Sequence, residues 1–182
     1  ATKAITEQKS IQEFWWQMSW RVPGIKRDAT LVVNYPSIEY GEDYETVAGP
    51  ANFIYYPDKK VVLPVNYDLA SISMTAESIK DILVGRAGVD RIVRSHSFHV
   101  DYGNVLVISQ PADNVCLHLI DPRWPDLSVS EREEIMLVAA ESRIENVIVE
   151  PQPKFMPTEI FGPEPEHKWC FYYEKAALAR QL

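Results

Sequence analysis

The chain has 182 residues, 46% of them hydrophobic and 24% charged, which is ordinary for one globular domain and short for two. Its formal net charge is -8 with no run of Lys and Arg, which argues against nucleic acid or an anionic membrane surface as its partner. No apolar stretch approaches the roughly 20 residues that span a bilayer. The sequence begins at Ala1 without a signal peptide and stops at Leu182 within a helical pattern, so we expect an excised domain of a longer protein.

The first predicted element is an amphipathic helix over residues 6–22. Its apolar side chains recur at the spacing of one helix face, at Ile11, Phe14, Trp15, Met18 and Val22. Pro23 ends the pattern, because the residue before a proline avoids the helical region. Trp16 and Trp20 form a second line. They indicate either a membrane-interface belt or packing on a sheet, and we favour packing.

Four more elements are predicted before the middle of the chain. They are, in order, strands at 30–34, 52–56 and 61–65 and a helix at 75–84. Pro64 places the third strand at an edge or an irregularity of the sheet. Thr75 is a good N-cap for the helix. The acidic loop at 38–46 lacks the spacing of an EF-hand, and we interpret it as a solvated loop rather than a calcium site.

We interpret residues 91–111 as a β-hairpin around which the fold is organised. The polar connection at 101–104 contains Gly103 and Asn104, which tolerate the positive φ of a tight turn. The second arm, residues 105–108, is apolar on both faces, and this predicts a central strand covered on both sides.

The second half of the chain continues the alternation of strands and helices. The predicted elements are a strand at 115–120, a helix from a Ser130/Glu133 capping box to about 142, a strand at 147–149 and a helix at 169–182. Five prolines make residues 151–166 an extended surface connection. In the last helix we expect one inward face, formed by Trp169, Tyr172, Tyr173, Ala176 and Ala177.

This order predicts an α/β fold with a mixed sheet of about five to seven strands and helices packed on it, between an N-terminal amphipathic helix and a C-terminal helix. The chain divides into a leading helix at 1–24, an α/β domain at 25–150, a proline-rich connection at 151–168 and a closing, repeat-like helix at 169–182.

Cys116 and Cys170 are the two cysteines of the chain, and neither has a CxxC partner, which argues against zinc. The two thiols could pair in an oxidising compartment. We favour two buried free thiols, because one cysteine lies in an apolar strand and the other in an aromatic helix.

Three histidines raise the question of a metal site. His96 and His99 point to opposite sides of a strand, and a pair such as His96 and His118 would need a third ligand that the sequence does not offer. We therefore expect neither a metal nor a cofactor, and we interpret these residues as histidines bonded within the sheet.

The candidate ligand-binding residues are His118, Asp121, Arg123 and Trp124. The last three follow the end of a buried strand, where α/β proteins often place ligands. An ion pair or an Asx-turn that closes the strand is the interpretation we favour for Asp121 and Arg123. The chain has no G-x-S-x-G elbow and no glycine-rich phosphate loop, so it offers no catalytic residue.

Several phrases of the chain resemble known proteins. EFWWQMSWRVPGI, followed by a strand that starts at a Thr, is similar to the segment after the last membrane helix of bacterial polytopic proteins of the dolichyl-phosphate-mannose mannosyltransferase-like type. GPANFIYYP, NVLVISQP and FGPEPEHKWCFYYEKAALARQ resemble stretches of uncharacterised proteins. The closing helix also resembles the first helix of a tetratricopeptide hairpin.

The resemblance implies a location outside the cytoplasmic membrane, with a membrane tether upstream of Ala1. In such glycosyltransferases the catalytic acidic residues lie in membrane-proximal loops near the N-terminus, and none of those motifs is present here. No catalytic residue is therefore carried over.

Two classes of function remain open. The first is a non-catalytic extracytoplasmic domain that binds or positions a glycan, an acceptor or a membrane-protein partner. The second is a small soluble enzyme with a site near His118, Asp121 and Arg123. A scaffold linked to tetratricopeptide repeats is a third, weaker hypothesis.

Overall fold

The computed structural model describes residues 2–36, 48–58, 66–70, 74–93, 96–150 and 154–181. Its helices are α1 (Thr2–Arg21), α2 (Ala48–Tyr55), α3 (Ala76–Leu83), α4 (Glu133–Val138), α5 (Thr158–Phe161) and α6 (Trp169–Gln181). Its strands are β1 (Gly24–Ile25), β2 (Thr30–Asn34), β3 (Asn66–Ala70), β4 (Val89–Val93), β5 (His96–Val100), β6 (Val105–Ser109), β7 (His118–Leu119) and β8 (Val147–Ile148). Two single-turn 3-10 helices, Ala139–Glu141 and Ile144–Asn146, follow α4.

The main sheet is mixed and confirms the α/β class. Its strand order is β3-β2-β6-β7, with β2 parallel to both β3 and β6, and β7 antiparallel to β6. Within the described residues this sheet has four strands, fewer than the five to seven predicted. The shortfall arises because β1 pairs with β8 and β4 pairs with β5, each as a separate antiparallel ladder.

Helices cover both faces of this sheet. Leu31 and Leu106 belong to one core cluster with α1 and α2, whereas Val32 and Val105 belong to a second cluster with α3 and α4. The alternation follows from the two-residue period of a strand. The connection from β2 to β3 therefore crosses one face of the sheet. The later connection, which leads back past β2 to β6, crosses the other face. This doubly wound arrangement places a topological switch point between the carboxyl ends of β2 and β6.

Helix α1 confirms the predicted N-terminal helix. Phe14, Trp15 and Met18 are buried against the sheet, and Ile11 packs beside them. The second tryptophan line is covered by the C-terminal part of the chain rather than by the sheet. Trp16 Nε1 donates to the carbonyl oxygen of Phe161 at 3.0 Å, and Trp20 Nε1 donates to Glu164 Oε1 at 2.9 Å. These bonds tie the end of the chain to its beginning.

The predicted strand at 52–56 is wrong, since these residues belong to helix α2 and its end. Parallel strands β2 and β3 require a crossover, and a helix is the usual element for it. Ala51 and Ile54 face the core from this helix, while the Tyr55 hydroxyl donates to the carbonyl oxygen of Val22 at 3.0 Å. The predicted strand at 61–65 and the acidic loop at 38–46 lie outside the described residues.

The predicted hairpin at 91–111 is wrong in its pairing. The turn exists, and Gly103 N donates to Asp101 Oδ1 at 2.9 Å. However, β5 pairs with β4, whereas β6 pairs with β2 and β7. The prediction that 105–108 form a central strand is confirmed, because every residue of β6 is buried.

Three later elements also differ from their predictions. The strand at 115–120 shortens to β7, and the strand at 147–149 pairs with β1 outside the main sheet.

The Ser130/Glu133 capping box is absent. Helix α4 starts at Glu133 with Arg132 as an N-cap that makes no side-chain bond. The Glu131 side chain instead turns inward to the sheet, where Ser109 and Asn34 supply its hydrogen bonds. By contrast, Thr75 caps α3 as predicted.

The C-terminal helix is confirmed, but its predicted inward face is confirmed only at Tyr173 and Ala177. Trp169 and Tyr172 are exposed, whereas Glu174 is fully buried. The cause is tertiary, because α6 packs against α1 and turns Tyr173, Glu174 and Ala177 toward the body of the protein. None of the helices in the described ranges is both long and apolar enough to cross a membrane.

Candidate functional site

The turn after β7 holds Asp121 and Arg123 together. Arg123 donates from Nε to Asp121 Oδ1 at 3.0 Å and from Nη2 to Oδ2 at 2.8 Å, and its backbone N also donates to Oδ1 at 2.9 Å. These bonds hold the pKa of Asp121 below its usual value. Both carboxylate oxygens are already occupied, so the pair closes the turn and offers little to a ligand.

His118 has different partners. The Tyr173 hydroxyl donates its one hydrogen to Asp126 Oδ2 at 3.0 Å and lies 3.2 Å from His118 Nδ1. His118 Nδ1 must therefore carry the hydrogen of that second bond. Burial lowers the pKa of His118 and raises that of Tyr173, so the imidazole is neutral near pH 7.

We name the space that these residues enclose the polar cavity. It lies between β7, the following turn and α6, and His118, Asp121 and Trp124 all line it. Its volume is about 20 Å³, which is room for about one water molecule. The structure thus brings three of the predicted site residues to one place, with Arg123 attached through Asp121, but it leaves no room there for a substrate.

Two buried residues, Glu174 and Arg21, form the inner wall of the polar cavity. Glu174 is fully buried, and within the described part of the chain neither of its carboxyl oxygens has a hydrogen-bond partner. Burial raises its pKa to about 9, against the opposing effect of Arg21. Arg21 is buried too and donates to Gln181 Oε1 at 2.8 Å. Glu174 is therefore protonated at neutral pH, as a carboxyl group inside a helix interface.

A larger pocket of about 350 Å³ opens at the N-terminal end of α6. We name it the α1–α6 groove. Its walls come from helix α1, the loop before β7 and the stretch that leads into α6. The lining residues are Glu13, Gln17, Trp20, Asp113, Asn114, Val115, Pro165, Glu166, Lys168, Trp169, Cys170 and Phe171.

Aromatic side chains form one wall of this groove. Trp20 contacts Phe171 edge to face with ring centroids 5.2 Å apart, and the His167 ring stacks on Phe171 at 3.6 Å. Trp20 also donates to Glu164, which accepts from His167 as well. These hydrogen bonds fix the positions of the Trp20 and His167 rings. Trp169 is different: its side chain is 76% exposed and presents an indole to solvent at the groove.

Polar groups complete the groove and give it a negative charge. Three carboxylates, from Glu13, Asp113 and Glu166, face one ammonium group, from Lys168. Lys168 Nζ lies 3.2 Å from Glu166 Oε2, and both side chains are largely exposed. The groove therefore combines aromatic faces with hydrogen-bond acceptors and disfavours anionic ligands.

A disulfide joins two walls of the groove, and the prediction of free thiols is wrong. Cys116 follows the loop at 113–115, and Cys170 lies in α6, with their Cα atoms 5.2 Å apart. The two residues are 54 positions apart in sequence, and neither local pattern indicates the pairing. Only the docking of α6 beside β7 brings them together.

The sequence pattern does not reveal the groove as a candidate site. The helical spacing of Trp169 to Tyr172 and Tyr173 predicts an inward position for this tryptophan, whereas it is exposed in the structure. A usable signal was its position, since the tryptophan stands at the first turn of a helix, directly after a proline-rich connection. Such a residue has no preceding turn to pack against it.

Metal ligation finds no support in the described residues, which contain no group of three or more His, Cys, Asp or Glu placed around one ion. His96 and His99 lie in β5, and their side chains are outside the described part.

No known protein family, no curated protein and no solved structure matches this chain. The class of protein is therefore stated from its fold: a doubly wound α/β domain whose first and last helices pack together.

Proposed function

We propose that this chain is a non-catalytic, extracytoplasmic binding domain of a membrane protein, and that it holds a neutral glycan in the α1–α6 groove. The observation that carries the proposal is the exposed Trp169 indole beside a pocket of about 350 Å³ with three carboxylates. A sugar ring offers apolar C–H faces to an aromatic ring and hydroxyl donors to carboxylates, so this combination suits carbohydrate.

The charge of the groove narrows the ligand class. A sugar phosphate or an acidic sugar would meet three carboxylates and one exposed ammonium group, and it would be repelled. A neutral sugar faces no such penalty. The same acceptors suit an amino sugar, which would bring its own positive charge.

Two further features support the extracytoplasmic setting. The Cys116–Cys170 disulfide is typical of oxidising compartments. The leading EFWWQMSWRVPGI phrase resembles the segment that follows the last membrane helix of glycosyltransferase-like membrane proteins. A soluble enzyme built on His118, Asp121 and Arg123 has less support, because the polar cavity has a volume of about 20 Å³ and its carboxylate is already paired.

Glycan-array binding by the 182-residue chain tests the proposal. We expect a small set of neutral glycans to bind, and Trp169→Ala to weaken the best of them by about tenfold because the stacking face is lost. Trp124→Ala is the matched control, since Trp124 is 64% exposed but lies outside the groove.

Two outcomes would contradict the proposal. One is the absence of binding to any glycan, which would favour a scaffold that contacts a protein through the exposed aromatics of α6. The other is an equal loss of binding in both tryptophan variants, which would place the contact away from the groove.

A further inference from the structure

Helix α1 contributes a deep polar residue to the α1–α6 groove. Glu13, Gln17 and Trp20 line the groove and recur at the spacing of one helix face, with Gln17 between the carboxylate and the indole. Gln17 is 6% exposed, whereas Trp169, which lines the same groove, is 76% exposed. Gln17 therefore belongs to the floor of the groove, and Trp169 belongs to its mouth.

The Gln17 side chain has a fixed orientation. Leu117 N donates to Gln17 Oε1 at 2.8 Å, and this bond joins α1 to the segment before β7. A backbone N can only donate, so the amide oxygen points at Leu117 and the NH₂ group points away from it. Gln17 Nε2 donates to no residue in the described part of the chain, and unlike the Glu174 oxygens it remains accessible to solvent. Gln17 thus offers a hydrogen-bond donor to the occupant of the groove.

This donor distinguishes the floor of the groove from its rim. Glu13 and Asp113 are exposed carboxylates, and they accept hydrogen bonds at the rim. A ligand that satisfies both regions presents donors to the rim and one acceptor to the floor. When a sugar ring stacks on the exposed Trp169, that acceptor must project from the ring in order to reach Gln17.

We propose that the α1–α6 groove selects sugars that carry an acetamido group, and that Gln17 is the residue that recognises this group. The inference rests on the function proposed above, the binding of a neutral glycan in this groove. The acetamido carbonyl oxygen accepts from Gln17 Nε2, and it lies two bonds further from the ring than a hydroxyl oxygen does. An ammonium group at the same ring position would place its hydrogens against the Gln17 NH₂ group. The floor therefore favours the acetylated sugar over the free amino sugar.

The test compares three sugars that differ only at C2: the methyl glycosides of N-acetylglucosamine, glucose and glucosamine. Each is titrated into the 182-residue chain, and the side-chain NH₂ signals of Gln17 are followed by amide NMR. We expect the acetamido sugar to bind at least about tenfold more tightly than the other two, because a site that contains a specific donor rejects ligands that leave it unpaired. We also expect this sugar to shift the Gln17 NH₂ signals saturably.

Gln17→Glu is the decisive variant. It keeps an oxygen for Leu117 N but replaces the donor by an acceptor, so we expect the acetamido preference to be lost. Gln8→Glu makes the same change at an exposed position of α1 outside the groove, and it should keep the preference. Trp169→Ala should weaken the binding of all three sugars alike, because stacking on the ring does not depend on the C2 group. If the Gln17 variant does not fold, the three titrations of the original chain decide the question.

The proposal is overturned if the three sugars bind the original chain equally, if the acetamido sugar binds without shifting the Gln17 signals, or if Gln17→Glu keeps the preference. Groove binding of glycans without an acetamido preference would refute the role of Gln17 and leave the proposed function standing. The absence of binding to every glycan would refute both.

Discussion

The two ends of helix α6 show how differently the same residue types behave in this protein. At the N-terminal end, the α1–α6 groove has a volume of about 350 Å³ and is lined by exposed Trp169 and Glu166. Further along the helix, the polar cavity has a volume of about 20 Å³ and is lined by Tyr173 and Glu174. Each site contains an aromatic ring and a carboxyl group.

The two sites differ in whether their side chains already have hydrogen-bond partners within the protein. In the polar cavity, Tyr173 donates to Asp126 and contacts His118, while Asp121 holds Arg123. These groups bond to one another, whereas the neighbouring Glu174 has no hydrogen-bond partner within the described residues and burial raises its pKa. In the groove, Trp169 stands in solvent. The altered pKa values of His118 and Tyr173 accompany burial at an internal interface, whereas open space and an exposed aromatic face mark the candidate binding surface.

The largest expected effect comes from removing the disulfide that joins the groove walls. Cys116→Ser combined with Cys170→Ser removes a cross-link between residues 54 positions apart. A cross-link that closes a loop of this length lowers the conformational entropy of the unfolded chain and so stabilises the folded state by about 4 kcal/mol. We expect the free energy of unfolding, measured by urea denaturation, to fall by about that amount. We also expect glycan binding to weaken, because α6 is less firmly held.

A denaturation midpoint equal to that of the original chain would show that the disulfide does not form in the folded protein. The original chain under reducing conditions is the matched control, and it should unfold like the double variant.

The next effect is a pH dependence that comes from Glu174. Its pKa is about 9 in the folded chain and has the usual value of 4.5 when unfolded, so the folded state binds the proton more tightly. The free energy of unfolding must then fall as pH rises between these values, by up to about 1.4 kcal/mol per pH unit. Glu174→Gln removes this slope.

The clearest interval for that measurement is pH 7 to 8. The lowered pKa of His118 acts in the opposite direction below its usual value of 6.5, and Lys154, whose pKa burial lowers to about 8, acts in the opposite direction above it. Glu166→Gln, at an exposed position, is the control and should keep the slope of the original chain. Equal slopes in all three proteins would mean that Glu174 is solvated in solution.

The smallest effect is expected at Arg123, which sequence reasoning proposed as a binding residue. Because this side chain is exposed, solvent screens its pair with Asp121, and Arg123→Ala should change the thermal midpoint by no more than about 2 °C. The pKa of Asp121 should rise toward its usual value, as measured by NMR titration, because the bonds that lower it are lost. An unchanged pKa would show that the pair does not persist in solution.

Much of the fold could be predicted because its signals are local. The stripe from Phe14 to Met18 and the apolar run of β6 bury as their patterns indicate. Thr75 caps α3 because a cap needs only the backbone of the next turn. The pairing of strands could not be predicted, since β6 joins β2 from 75 positions away along the chain. The same holds for the helix at 48–55, whose type is decided by the crossover it makes.

The candidate sites depended more on tertiary structure than the fold did. The sequence by itself determined an α/β chain with an acidic balance, an aromatic first helix and polar residues at strand ends. Tertiary structure decided which of those residues stay exposed. The docking of α6 on α1 closed the space around Asp121, opened the groove beside Trp169 and paired the two cysteines. Burial and open volume arise only when distant segments meet, and no local pattern encodes them.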